Sequence, residues 1–102
     1  MSTVHCSQLV YMNVSGIVYN GPCLFLSMGV SSEGSGKTVE VYDGLNTSGR
    51  QIMRYKLASN VAFERKPRAP IYCETGLYVS FADENILADF EVVPAQKGGL
   101  IL

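Results

Sequence analysis

The stretch Leu77-Tyr-Val-Ser-Phe-Ala-Asp-Glu-Asn-Ile-Leu-Ala-Asp-Phe-Glu-Val-Val93 decides the fold class of this chain. Apolar residues recur at every second position on both sides of Asp83-Glu84-Asn85, and this alternation is typical of strands with one buried face. These three residues are a turn signal rather than a calcium loop, because they lack the spacing of an EF-hand. We therefore predict a hairpin with two apolar faces that meet in the core, formed by Leu77, Val79 and Phe81 and by Ile86, Ala88, Phe90 and Val92.

The same period of two continues outward from this stretch, with Gly, Ser, Asn and Pro between the apolar runs. It predicts an all-β domain, and two antiparallel sheets packed as a jelly-roll-like β-sandwich are the simplest arrangement. The predicted strands are Gln8 to Met12, Gly16 to Tyr19, Cys23 to Val30, Thr38 to Tyr42, Gln51 to Leu57, Asn60 to Phe63, Ile71 to Cys73, Leu77 to Ala82 and Ile86 to Val93.

Three segments between these strands carry turn chemistry. The letters GSGKT at residues 34–38 resemble a phosphate-binding P-loop, but that motif needs a glycine where Ser31 stands and a helix where Val39 begins a β-branched run. We interpret the segment as a hairpin loop. A second hairpin is predicted at Asp43 to Gly49, where two glycines can supply positive φ angles, and Asn20-Gly-Pro22 is a break between strands.

Length and composition narrow the functional classes. The 102 residues form one domain, which we place at residues 1–94, followed by a tail at 95–102. A net charge of −1 gives no field that would attract nucleic acid or an anionic membrane. We find no secretion signal or membrane-spanning run, and the odd, scattered set Cys6, Cys23 and Cys73 predicts neither disulfides nor a zinc site but reduced thiols in a cytoplasm.

Catalytic chemistry has little support in the sequence. His5 is the single histidine, and no nucleophile or orienting acid is placed beside it. No metal or cofactor site is predicted, and solvated charge is the interpretation for the loop and surface carboxylates Glu33, Glu40, Asp43, Glu64 and Glu74.

Two features suit binding instead. Six tyrosines can form a stacking platform for sugars, although we favour cross-strand packing within the sheets; they are Tyr11, Tyr19, Tyr42, Tyr55, Tyr72 and Tyr78. The apolar residues Leu100, Ile101 and Leu102 are candidates for a protein interface, and they either fold back on their own domain or bury themselves in a neighbouring subunit.

Three segments carry a resemblance to a known group. The motifs Gly21-Pro-Cys-Leu-Phe-Leu26, Ser31-Ser-Glu-Gly-Ser-Gly-Lys-Thr-Val-Glu-Val-Tyr-Asp-Gly44 and Thr75-Gly-Leu-Tyr-Val-Ser-Phe81 are similar to those of small virion proteins of tailed bacteriophages. The resemblance covers residues 14–93. It implies a β-sandwich made in the host cytoplasm that decorates or cements the capsid surface, with the major capsid protein and further copies of itself, as a dimer or trimer, for partners.

The leading hypothesis is therefore a capsid decoration protein without enzymatic activity. The alternative is a carbohydrate-binding or receptor-binding module of a phage tail fibre or spike, which would use tyrosines and loop carboxylates.

Overall fold

A computed structural model describes residues 8–32, 37–57, 62–82 and 86–95, which form nine β-strands and no helix. The strands are β1 (Gln8–Met12), β2 (Gly16–Asn20), β3 (Cys23–Ser32), β4 (Lys37–Asp43), β5 (Arg50–Leu57), β6 (Ala62–Arg65), β7 (Ile71–Cys73), β8 (Gly76–Phe81) and β9 (Ile86–Pro94). Each predicted strand is present, with bounds that agree to within two residues.

The strands form two antiparallel sheets. Sheet A has the order β1-β9-β3-β6, with β7 also paired to β3, and sheet B has the order β2-β8-β4-β5. Because β6 and β7 pair with successive parts of β3, they can be counted as one interrupted strand. With β6 and β7 merged, β8 becomes the seventh strand and β9 the eighth. Sheet A then has the order 1-8-3-6 and sheet B the order 2-7-4-5, which is the strand order of a jelly roll. The predicted fold class is confirmed.

The core lies between the two sheets, on the face where the apolar residues alternate. Its fully buried members include Phe25, Met28, Val39, Val41, Leu77, Val79, Ile86, Phe90 and Val92. The rings of Phe25 and Phe90 lie with centroids 6.3 Å apart. In β3 the register with β9 shifts between Phe25 and Ser27, and this bulge turns both Phe25 and Met28 inward despite their odd spacing.

The predicted hairpin between β8 and β9 is wrong. Strand β8 pairs with β2 and β4, whereas β9 pairs with β1 and β3, so the connection at residues 83–85, which lie outside the described residues, passes from one sheet to the other. Alternation specifies which face of a strand is apolar but not which strand lies beside it. The prediction that the two apolar faces meet in the core is confirmed, with Phe81 partly buried at its margin.

The connection from β3 to β4 is not a hairpin either, since these strands belong to different sheets, and residues 33–36 lie outside the described residues. Strand β4 does begin at Lys37, so a strand rather than a helix follows the GSGKT letters, as predicted.

The predicted hairpin between β4 and β5 is confirmed, but its glycines act differently from the expectation. Neither Gly44 nor Gly49 has a positive φ; a Cβ on Gly44 would instead lie 2.9 Å from the Cα of Gly49. Close approach of two backbones, rather than a left-handed conformation, requires glycine there. Gly21, in the predicted break between β2 and β3, has a φ of 121°.

We expect Phe90→Ala to lower the free energy of unfolding by about 3–5 kcal/mol, because it removes a ring that is completely buried between the sheets. Leu87→Ala is the matched control on the same strand, since Leu87 is 61% exposed and its loss should cost under about 0.5 kcal/mol. Urea denaturation of both variants measures the difference; a larger loss from Leu87→Ala than from Phe90→Ala would mean that the two faces of β9 are assigned the wrong way round.

Candidate functional site

The tail residues predicted as an interface, Leu100, Ile101 and Leu102, lie outside the described residues. The described chain ends at Ala95, which is buried and donates its backbone N–H to the carbonyl oxygen of Pro22 at 3.0 Å. The described chain therefore ends beside the start of β3.

The described residues hold an apolar surface that the sequence analysis did not single out. Five large apolar side chains are exposed along one flank of the sandwich, and we call them the β1 surface: Leu9, Tyr11, Val14, Ile17 and Leu87. They lie on or beside the edge strands β1 and β2 and on the neighbouring strand β9. Tyr11 is 73% exposed and Val14 65% exposed. Apolar groups concentrated at a sheet edge mark a contact surface.

The connection between β1 and β2 carries Val14 and is fixed to the body of the domain. The hydroxyl of Ser15 accepts a hydrogen bond from the backbone N–H of Phe81 at 2.8 Å. This anchor ties the connection to the end of β8, while Val14 remains on the outside.

A groove of about 690 Å³ runs beside the β1 surface on the outer face of sheet A. Its floor is β3, where the small residues Gly29 and Ser31 point outward. Tyr11 and Leu87 line one side and Glu64 of β6 lines the other. The depression exists because β3 carries small outward residues between strands that carry large ones.

The carboxylate of Asp89 lies across the floor of this groove. Its Oδ1 atom accepts the backbone N–H of Gly29 at 2.7 Å, and a Cβ on residue 29 would come within 2.6 Å of that oxygen. Glycine at position 29 is thus what lets the carboxylate lie flat against β3. Two residues further along the same face of β9, Glu91 accepts a hydrogen bond from the Ser27 hydroxyl at 3.3 Å. The groove itself is lined by two carboxylates, Asp89 and Glu64, and by no basic side chain among the described residues.

The tyrosines do not form a single platform. Tyr42 and Tyr78 are cross-strand neighbours on the outer face of sheet B, with ring centroids 6.5 Å apart. Tyr19 and Tyr55 pack against the core. The favoured interpretation, cross-strand packing, describes the Tyr42–Tyr78 pair, and Tyr11 is the tyrosine that lines the groove.

Comparison with protein-family models, curated proteins and solved structures finds no match to this chain. In the described part of the chain, no helix is long and apolar enough to cross a membrane. The β1 surface and its groove are therefore the features of the described residues that bear on function.

Among the predicted solvated carboxylates, Asp43 has a structural role instead. Its two carboxylate oxygens accept the backbone N–H groups of Glu74 and Thr75, each at 3.1 Å, and Arg50 lies 3.5 Å away. Asp43 thereby fixes the turn between β7 and β8 to the end of β4.

No group of three or more His, Cys, Asp or Glu suited to a metal ion occurs within the four described ranges, while His5 and Glu33 lie outside them.

Two cysteines that look scattered in the sequence meet in the fold. Cys23 of β3 and Cys73 of β7 are direct cross-strand partners, and both are completely buried as free thiols. Sequence spacing gives no sign of this contact, because it depends on the register between β3 and β7.

We expect Asp43→Ala to destabilise the protein by about 1–3 kcal/mol, since it removes two hydrogen bonds from backbone N–H groups to a charged carboxylate. Glu40→Ala is the control on the same strand. Glu40 contacts the exposed side chains of Gln51 and Arg54, so its loss should cost under about 1 kcal/mol. Thermal unfolding shows which of the two substitutions destabilises the protein more. A larger loss of stability from Glu40→Ala would refute the role given to Asp43.

Proposed function

We propose that this chain is a structural protein of a tailed bacteriophage, a capsid decoration protein without enzymatic activity that binds the outer head lattice through the β1 surface. The observation that carries the proposal is the exposure of Leu9, Tyr11 and Leu87 on the outer face of an edge of sheet A. The resemblance in residues 14–93 to small virion proteins supports the choice of partner.

The β1 surface suits a rigid partner repeated by symmetry. Its apolar residues project from paired strands, so binding would order little backbone and would cost little conformational entropy. Acidic groups beside them, Asp89 and Glu64, would favour a partner surface with apolar pockets and a basic rim. Repetition over a lattice would then convert modest single contacts into firm attachment, above all if the chain acts as a dimer or trimer.

Mixing the purified chain with capsids stripped of accessory proteins tests this proposal. We expect co-migration at a fixed stoichiometry in size-exclusion chromatography with light scattering. The double variant Tyr11→Ser/Leu87→Ser should lose at least about tenfold in affinity, because exposed side chains at the centre of an interface carry most of its binding energy. Its thermal stability should stay close to that of the unaltered chain, since both side chains are exposed.

Leu45→Ser is the matched control for the double variant, as an exposed leucine in the connection between β4 and β5. It should bind like the unaltered chain. An unaltered chain that ignores capsids would refute the decoration role, and equal losses from both variants would refute the β1 surface as the docking site.

Within the predicted tail at residues 95–102, the residues after the buried Ala95 are proposed as a second contact, an arm toward a neighbouring subunit. We expect its deletion to weaken oligomerisation or capsid attachment and to leave the thermal unfolding of the domain unchanged, because the buried Ala95 is retained. Replacement of Leu100, Ile101 and Leu102 by serine keeps the length and tests the apolar character alone. Full binding by the shortened chain would reject the arm.

The groove favours one alternative function, the binding of a carbohydrate receptor by a tail fibre or spike module. An exposed tyrosine ring beside carboxylates and the small polar residue Ser31 is a combination that can stack on a sugar and accept its hydroxyl hydrogen bonds. A glycan array separates the two functions: a signal lost in Tyr11→Ala and retained in Tyr78→Phe, on the opposite sheet, would establish the alternative.

A further inference from the structure

The buried pair Cys23 and Cys73 has the geometry that a disulfide requires. The two residues are opposite each other in the antiparallel ladder between β3 and β7. Opposite residues in such ladders have Cα atoms about 4.5–5.5 Å apart, which lies within the range of about 4.4–6.8 Å found for disulfides. Both side chains point into the same dry space, and neither is accessible to solvent.

The two thiols also contact each other. A hydrogen bond joins their sulfur atoms and holds the pKa of Cys23 below its ordinary value. The same contact, together with burial, raises the pKa of Cys73 far above its ordinary value. The sulfur of Cys73 lies 4.0 Å from the carbonyl oxygen of Ile71, a long contact that does not compete strongly for its proton.

We propose that Cys23 and Cys73 are a reversible disulfide site, in which oxidation by a low-molecular-weight disulfide such as glutathione disulfide ties β7 covalently to β3. The thiolate of one cysteine attacks the oxidant, whose S–S bond breaks and releases one glutathione thiol. The second cysteine then displaces the other glutathione from the mixed disulfide. The protein loses two protons and two electrons, and both are recovered in two molecules of reduced glutathione.

Strand β7 gives the oxidant a route to the buried sulfurs. It has three residues, Ile71–Cys73, and pairs with β3 alone among the described strands. The segment that leads into it contains Pro67 and Pro70, which have no amide to donate to a ladder. A short edge strand of this kind opens locally at low cost compared with global unfolding, and its opening exposes Cys73.

The bond would change stability more than shape. It closes a loop of about 50 residues between partners that are already in register, so it restricts the unfolded chain. A rise in Tm of about 10 °C or more is expected for a domain of this size. The site does not depend on the proposed function. Under that function, however, the thiols would stay reduced in the cytoplasm and the bond would form once the particle reaches an oxidising medium.

The deciding experiment uses the full chain with Cys6→Ser, in which Cys23 and Cys73 are the remaining cysteines. The protein is refolded from denaturant in a buffer of oxidised and reduced glutathione, and is then alkylated in denaturant and weighed by mass spectrometry. We expect a monomer without alkylated thiols, a Tm higher by about 10 °C or more, and reversal of both by dithiothreitol.

Two results would overturn the proposal: two alkylated thiols in the refolded Cys6→Ser protein, or a disulfide that leaves Tm unchanged or lower. The variant Cys6→Ser/Cys73→Ala is the control and should show no Tm response to glutathione. Should this control fail to fold, the mass and Tm of the Cys6→Ser protein decide the outcome by themselves.

Discussion

The rest of the structure depends on the burial of one face of each sheet against the other. Phe25 and Phe90 of sheet A and the aliphatic residues of β4 and β8 are removed from water together, and no single strand provides this burial. The bulge in β3 shows how strict the constraint is. A register shift between Phe25 and Ser27 breaks the regular ladder so that apolar residues on both sides of it face inward. The ladder is irregular at this point because the core has to be continuous.

The outer faces of the two sheets differ, and the difference bears on function. On sheet B, Tyr42 and Tyr78 pack on each other and Glu40 binds its neighbours Gln51 and Arg54, so this face is largely self-contained. On sheet A, large side chains of β1 and β9 flank the small outward residues of β3 and stay exposed. Exposed apolar side chains of this kind can offer contacts to another molecule. Five of the six exposed large apolar side chains among the described residues lie on this flank.

Sequence reasoning succeeded where the information is local. All nine strands follow from period-two alternation and turn residues, because each strand's pattern reflects its own two faces. It failed for the partners of those strands, and β8 and β9 were paired although they lie in opposite sheets. The same reason explains why the β1 surface and the contact between Cys23 and Cys73 were missed: exposure at an edge and contact across a ladder both depend on strand order. The role of Asp43 was missed for the same reason, since the backbone N–H groups that donate to its carboxylate are more than thirty residues away in the sequence.

The position of β9 in the middle of sheet A has a consequence for synthesis on the ribosome. Strands β1 and β3 lie on either side of β9 and have no ladder with each other, so sheet A cannot close until residue 94 has left the exit tunnel. Sheet B uses no residue after Phe81, so all of its strands are synthesised before β9. Its apolar inner face is then not yet covered by a complete sheet A. During that interval the nascent chain exposes surface that invites aggregation or chaperone binding. Strand β9, the last of the described strands, ends this exposure.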